Sequence, residues 1–153
     1  MRKAGSLAVI VALGLIVAAP AGAAGRDGPA AAFDKLSVRD AWVAEALPGT
    51  DTTAAYMVLV NDGDVDEELI AVNSEVAESL ELHKMENRDG MMRMQRVQHL
   101  MIGPGTEVEL APGGLHIMLI GLTQEIKEGG TVELTLEFES GATLDVLAPV
   151  RKR

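Results

Sequence analysis

The sequence predicts an all-β domain, a β-sandwich or Greek-key barrel of about eight to nine short strands. Three observations carry that expectation. Residues 131–139 read TVELTLEFE, with Val132, Leu134, Leu136 and Phe138 alternating against Thr131, Glu133, Thr135, Glu137 and Glu139, the period of a strand with one buried face. Turn signals recur at short intervals: Pro48-Gly49, Asp62-Gly63, Asp89-Gly90, Pro104-Gly105, Pro112-Gly113-Gly114, Gly129-Gly130 and Ser140-Gly141. The one helical candidate is a single turn at residues 74–79.

Taken in order, the chain opens with Arg2 and Lys3, an uncharged run over residues 7–19, then Pro20 and small residues to Ala24. A basic start, an apolar run too short for a comfortable bilayer span and Ala-x-Ala sites at 19–21 and 21–23 spell a cleavable export signal. Residues 1–23 are therefore assigned to the signal and 24–35 to a flexible lead-in. Residues 36–150 form the β domain, and 151–153 a basic C-terminal end. Within the domain, strands are expected over 36–46, 53–61, 68–72, 79–86, 91–98, 106–110 and 115–122. The 131–139 strand follows, and Leu144, Val146, Ala148 and Val150 continue its period as a hairpin partner.

About 115 residues suffice for one domain with a real core and are too few for two. The sequence holds no cysteine. Packing alone must stabilise the domain, and disulfide exchange, blue-copper electron transfer and lipid attachment through cysteine are excluded. Aromatic residues make up only 3%, so aliphatic side chains and methionine fill the core, with Trp42 and Tyr56 as its landmarks. Thirteen Lys and Arg face 23 Asp and Glu, for a net charge of −10. Such a surface repels nucleic acid and anionic lipid and favours cations and basic protein patches.

Chemistry concentrates on His83, Met94, His116 and Met118, spaced His-x10-Met-x21-His-x-Met. Imidazole with thioether is a borderline-to-soft donor set, matched to Cu(I) and poorly matched to zinc, calcium or magnesium. Side chains alternate along a strand, so His83 shares a face with Met85, Met92 with Met94, and His116 with Met118. Asn87-Arg88-Asp89-Gly90 closes a hairpin in one of two registers. A four-residue loop sets His83 opposite Met94; a two-residue Asp89-Gly90 turn sets Met85 opposite Met94, with His83 diagonal. Methionine occupies 8 of 153 positions, so two at fixed offsets from two histidines coincide by chance about once in 400.

The remaining candidates are bland. His99 and Met101 lie outside the pattern and read as surface or packing; Met85, Met91 and Met92 read as core or rim. Asp62, Asp64 and Asp66 lack the glycine and terminal glutamate of a calcium loop and read as a solvated acidic segment. No nucleophile or phosphate-binding motif is present, so the chain reads as a carrier and not an enzyme.

These residues resemble the periplasmic copper chaperones of the PCu(A)C family, whose signature is the same His-x10-Met-x21-His-x-Met. The flanks match at Asp40-Ala41-Trp42, Ala54-Ala55-Tyr56-Met57, Glu81-Leu82-His83, residues 89–94 and residues 110–119. The resemblance implies a cupredoxin-like fold, one Cu(I) per chain, a periplasmic location and transfer to an acceptor such as cytochrome c oxidase subunit II or another copper carrier. A monomer is expected, with no nucleic-acid partner for so acidic a surface and no stable membrane insertion once the signal is removed. Unlike relatives with a His- and Met-rich tail, this chain ends Arg151-Lys152-Arg153, so no second tail site is expected. Two alternatives use the same residues differently: copper sequestration without a dedicated acceptor, and an interaction module whose methionines are core.

Overall fold

The computed structural model describes residues 35–153. The signal and the lead-in up to residue 34 lie outside that range; Lys35, the last lead-in residue, accepts from the Asp62 N–H through its carbonyl at 2.8 Å. Ten strands form: β1 (Leu36–Ala44), β2 (Thr52–Asn61), β3 (Glu67–Asn73), β4 (Ala77–Arg88), β5 (Met91–Arg96), β6 (Leu100–Ile102), β7 (Thr106–Leu110), β8 (Leu115–Leu122), β9 (Thr131–Phe138) and β10 (Thr143–Arg151). The strand beyond the expected nine is β6. The 91–98 segment stops at Arg96, and three residues further on re-enter pairing against Glu67, Glu68 and Leu69 of β3.

Hydrogen bonding runs β5-β4-β8-β2-β1-β10-β9-β3-β6, with β7 also beside β2. Strand β2 pairs with β8 over Thr52–Ala55 and with β7 over Met57–Asn61. The loop 111–114 therefore interrupts what is otherwise one continuous neighbour. The β1–β10 pair is parallel. This open sheet folds back on itself around one aliphatic core, in which Met57, Leu59, Ile117 and Leu119 pack with Leu69, Val132, Leu134, Leu136 and Phe138. The alternating residues of β9 are all buried, as their period requires.

Two expectations need correction. No helical turn forms at 74–79: Glu75 and Val76 make a turn and Ala77 already begins β4. The carbonyls a helix would use internally are taken by Thr123, whose Oγ1 donates to Glu75 at 3.0 Å and whose N–H donates to Val76 at 2.9 Å. Trp42 and Tyr56 are also not landmarks of the main core. They stack at 4.6 Å in a separate small cluster with Ala44, Ala54 and Met118.

The cause is a bulge in β1. Its pairing with β2 shifts by one residue between Arg39 and Trp42, and Asp40 takes φ 52°. One extra residue reverses which side chains face inward. Val38, ahead of the bulge, packs on the main core, whereas Trp42, of the same parity, points to the opposite face.

Candidate metal centre

The outer face of β5, β4 and β8 collects the candidate donor residues. Asp89 and Gly90 have φ 53° and 82°, the left-handed pair of a two-residue type I′ turn. Gly90 N–H donates to Asn87 Oδ1 at 3.0 Å. This turn selects the tighter register, with Met85 opposite Met94 and His83 opposite Arg96. His83 is thus diagonal to Met94, and its Nδ1 lies 3.1 Å from Met94 Sδ.

On its other flank, His83 pairs directly with His116 of β8. The two rings stand edge to face, 6.0 Å apart at 88°. His116 is the second residue of β8, just after the 111–114 loop, and is only 5% exposed. Gly114 places it: its carbonyl accepts from Met85 N–H at 3.2 Å and lies 3.0 Å from His116 Nδ1. A carbonyl only accepts, so Nδ1 carries the proton and Nε2 is the ring nitrogen left to meet a metal. Met118 follows on the same face, opposite Glu81 in β4 and Ala54 in β2, and packs on the Trp42–Tyr56 cluster.

Glu81 and Arg96 complete this face, although neither belongs to the His–Met pattern. Glu81 Oε2 accepts from His83 Nε2 at 3.0 Å, and its Oε1 pairs with Arg96 at 3.1 Å. The carboxylate holds the His83 proton on Nε2 and so turns the Nδ1 lone pair toward Met94 sulfur, the usual orienting partner of a metal-binding imidazole. Two signals pointed there: alternation puts Glu81 on the His83 face, and the two-residue turn puts Arg96 across from it.

The structure brings His83, Met94 and His116 together, with Met118 one step along the face. Met94 is 51% exposed and lies at the rim, while His116 forms the floor. Outside this face, His99 Nδ1 pairs with Glu68 at 3.0 Å and Met101 is exposed. The 62–66 loop is organised by buried Asn61, whose Nδ2 donates to Val65 and Ile102 carbonyls and whose Oδ1 accepts from Gly63 N–H. Among the described residues, no group of three or more His, Asp or Glu is placed to hold a metal. The donor types this face gathers are imidazole and thioether, a set fitted to a soft monovalent ion.

Fold and site together define a cupredoxin-like β domain that presents a histidine–methionine surface. The chain belongs to the LpqE-like lipoprotein family, whose model matches residues 36–150. It is 36% identical over 124 residues to Lxx21020 of Leifsonia xyli subsp. xyli, covering 80% of this chain and 74% of that protein. Among solved structures it is similar to the copper-bound PCuAC domain of PmoF2, with TM-score 0.67, 27% identity, and coverage of 78% of this chain and 94% of that one. It is likewise similar to the Cu(I) form of DR1885 from Deinococcus radiodurans, with TM-score 0.64, 36% identity, and coverage of 85% and 87%.

Proposed function

We propose that this protein is an exported copper carrier that binds one Cu(I) through His83, Met94, His116 and Met118 and passes it to an acceptor protein. The observation that carries the reading is the convergence of His83 Nδ1 and Met94 Sδ at 3.1 Å, directly across from His116. Without a metal, a lone pair facing a thioether at that distance gains little. With Cu(I) bound, it becomes half of a four-donor set.

Relatives that carry copper in their structures support the cargo, and the soft thioether donors support its oxidation state. Neutral donors leave the charge of Cu(I) in place, and the Glu81 carboxylate beside His83 offsets it. Thioethers need no deprotonation and cannot be lost to disulfide formation in an oxidising compartment. Exchange proceeds by replacement of one ligand at a time from the Met94 rim. The acceptor we propose is an exported respiratory copper centre, such as that of cytochrome c oxidase subunit II.

The test is anaerobic Cu(I) titration against a competing chelator. Wild type should bind one equivalent, and His116→Ala and Met94→Leu should each weaken binding by more than about tenfold. The leucine swap is nearly isosteric, so the fold should survive it. A wild-type stoichiometry of zero ends the copper reading. Transfer to an apo copper-centre domain faster than passive release separates a carrier from a store.

A further inference from the structure

We propose that Met85, Met92 and Met94 form a second, transient Cu(I) station on the β4–β5 hairpin, through which copper passes between the histidine site and an acceptor. The inference rests on the copper reading above and goes beyond it in naming a route.

The register places the three thioethers. Met85 and Met94 are directly opposed, and Met92 lies two residues before Met94, opposite Asn87. All three therefore project from the face that carries His83. Opposed side chains of an antiparallel pair have Cβ atoms about 5 Å apart and diagonal ones about 7 Å. Methionine, with three rotatable bonds before its methyl, spans either gap. Asn87 does not cover Met92, because its Oδ1 is held by Gly90 N–H at the turn.

Packing does not account for Met92 and Met94, while Met85 on β4 is half-buried. No residue of β5 is buried, and Met92 and Met94 are 55% and 51% exposed. An edge strand with bare apolar side chains is ordinarily a hazard. As soft donors, these residues have a use that requires exposure.

Met94 belongs to both sets, so copper can shift outward without leaving protein ligands. The bonds to both imidazoles and to Met118 sulfur break as bonds to Met85 and Met92 sulfur form. Copper stays Cu(I), no electron moves, and no proton is required at sulfur. The outer station is the weaker one. It lacks the imidazoles and a neighbouring carboxylate, since Glu81 is engaged with His83 and Arg96, and Arg88 and Arg93 lie on the reverse face of the same hairpin. A weak outer site is what rapid hand-over needs.

The test uses Ag(I), a redox-inert stand-in for Cu(I), on protein carrying 13C-labelled methionine methyls. In wild type, the first equivalent should shift the Met94 and Met118 methyls. In the His83→Ala/His116→Ala double variant, Ag(I) should instead shift Met85, Met92 and Met94 together. Met85 and Met92 methyls that stay put in both proteins under excess Ag(I) overturn the station. Silence at Met94 and Met118 in wild type overturns the copper site itself, a separate result. As a second readout, Met85→Leu/Met92→Leu should leave the equilibrium Cu(I) affinity within about twofold of wild type while slowing Cu(I) removal by a bulky chelator at least about threefold. An unchanged removal rate refutes the route.

Discussion

Glu81 shows how one residue sets the chemistry of its neighbour. By accepting from His83 Nε2 while paired to Arg96, it decides which imidazole nitrogen faces Met94. Replacing Glu81 with glutamine removes the charge and releases Arg96. We expect Cu(I) affinity to fall roughly tenfold, the usual size of such an effect around a metal site. The thermal midpoint should barely move, because an ion pair near the surface contributes little to stability. Chelator competition and a melting curve on the same variant check both halves, and an unchanged affinity removes Glu81 from the site. The residues proposed as donors were picked out by type and spacing. The orienting role of Glu81 and Arg96 was not legible there, although alternation and the turn place both on this face, because it depends on which nitrogen the fold turns toward sulfur.

At the scale of elements, the Asp89-Gly90 turn governs the site through register. Both residues have positive φ, which glycine adopts freely and a β-branched residue resists by about 1–2 kcal/mol. A Cβ on Gly90 would meet nothing within 4 Å, so the cost of Gly90→Val is one of backbone alone. We expect that variant to loosen the hairpin and lower Cu(I) affinity by displacing Met94, while the core keeps its midpoint within a few degrees. Gly90→Asn, tolerant of the left-handed region, should retain affinity. Equal binding by the valine variant would show that β4 holds β5 in register without the turn. Strand positions followed well from alternation and turn residues, but their exact pairing did not. Both hairpin registers kept these residues on one face, and the β4–β5 pairing together with the φ values at the turn distinguishes them. The bulge at Asp40 was invisible for a related reason. Its effect is a reversal of parity, and nothing in Arg39-Asp40-Ala41-Trp42 announces where an extra residue enters the ladder.

For the whole molecule, the core and the metal site are physically separate. The aliphatic cluster lies between the folded-over layers, with Ile117 and Leu119 of β8 facing inward and His116 and Met118 of the same strand facing out. The apoprotein should therefore be folded, unlike a zinc finger, whose metal supplies its folding free energy. Copper should add stability by mass action alone: about 2.7 kcal/mol at a free Cu(I) concentration a hundred times Kd, or a midpoint rise of roughly 10 °C. Calorimetry of the apo and Cu(I) forms reads this directly. An apoprotein with no cooperative transition would contradict the separation.

The sequence by itself determined the fold class, because a period of two bounded by Gly, Pro, Asn and Asp leaves a chain of this length few ways other than β to bury its aliphatic residues. It also pointed to soft-donor chemistry, because two His–Met pairs at set spacing in a chain without cysteine offer a soft ion imidazole and thioether. Only the tertiary structure decided how those donors meet. The two-residue turn set Met94 diagonal to His83, the Gly114 carbonyl settled the His116 proton, and the bulge carried Trp42 out beside Met118. Each of these depends on a register or a hydrogen bond between residues distant in sequence, and local pattern does not encode such pairings.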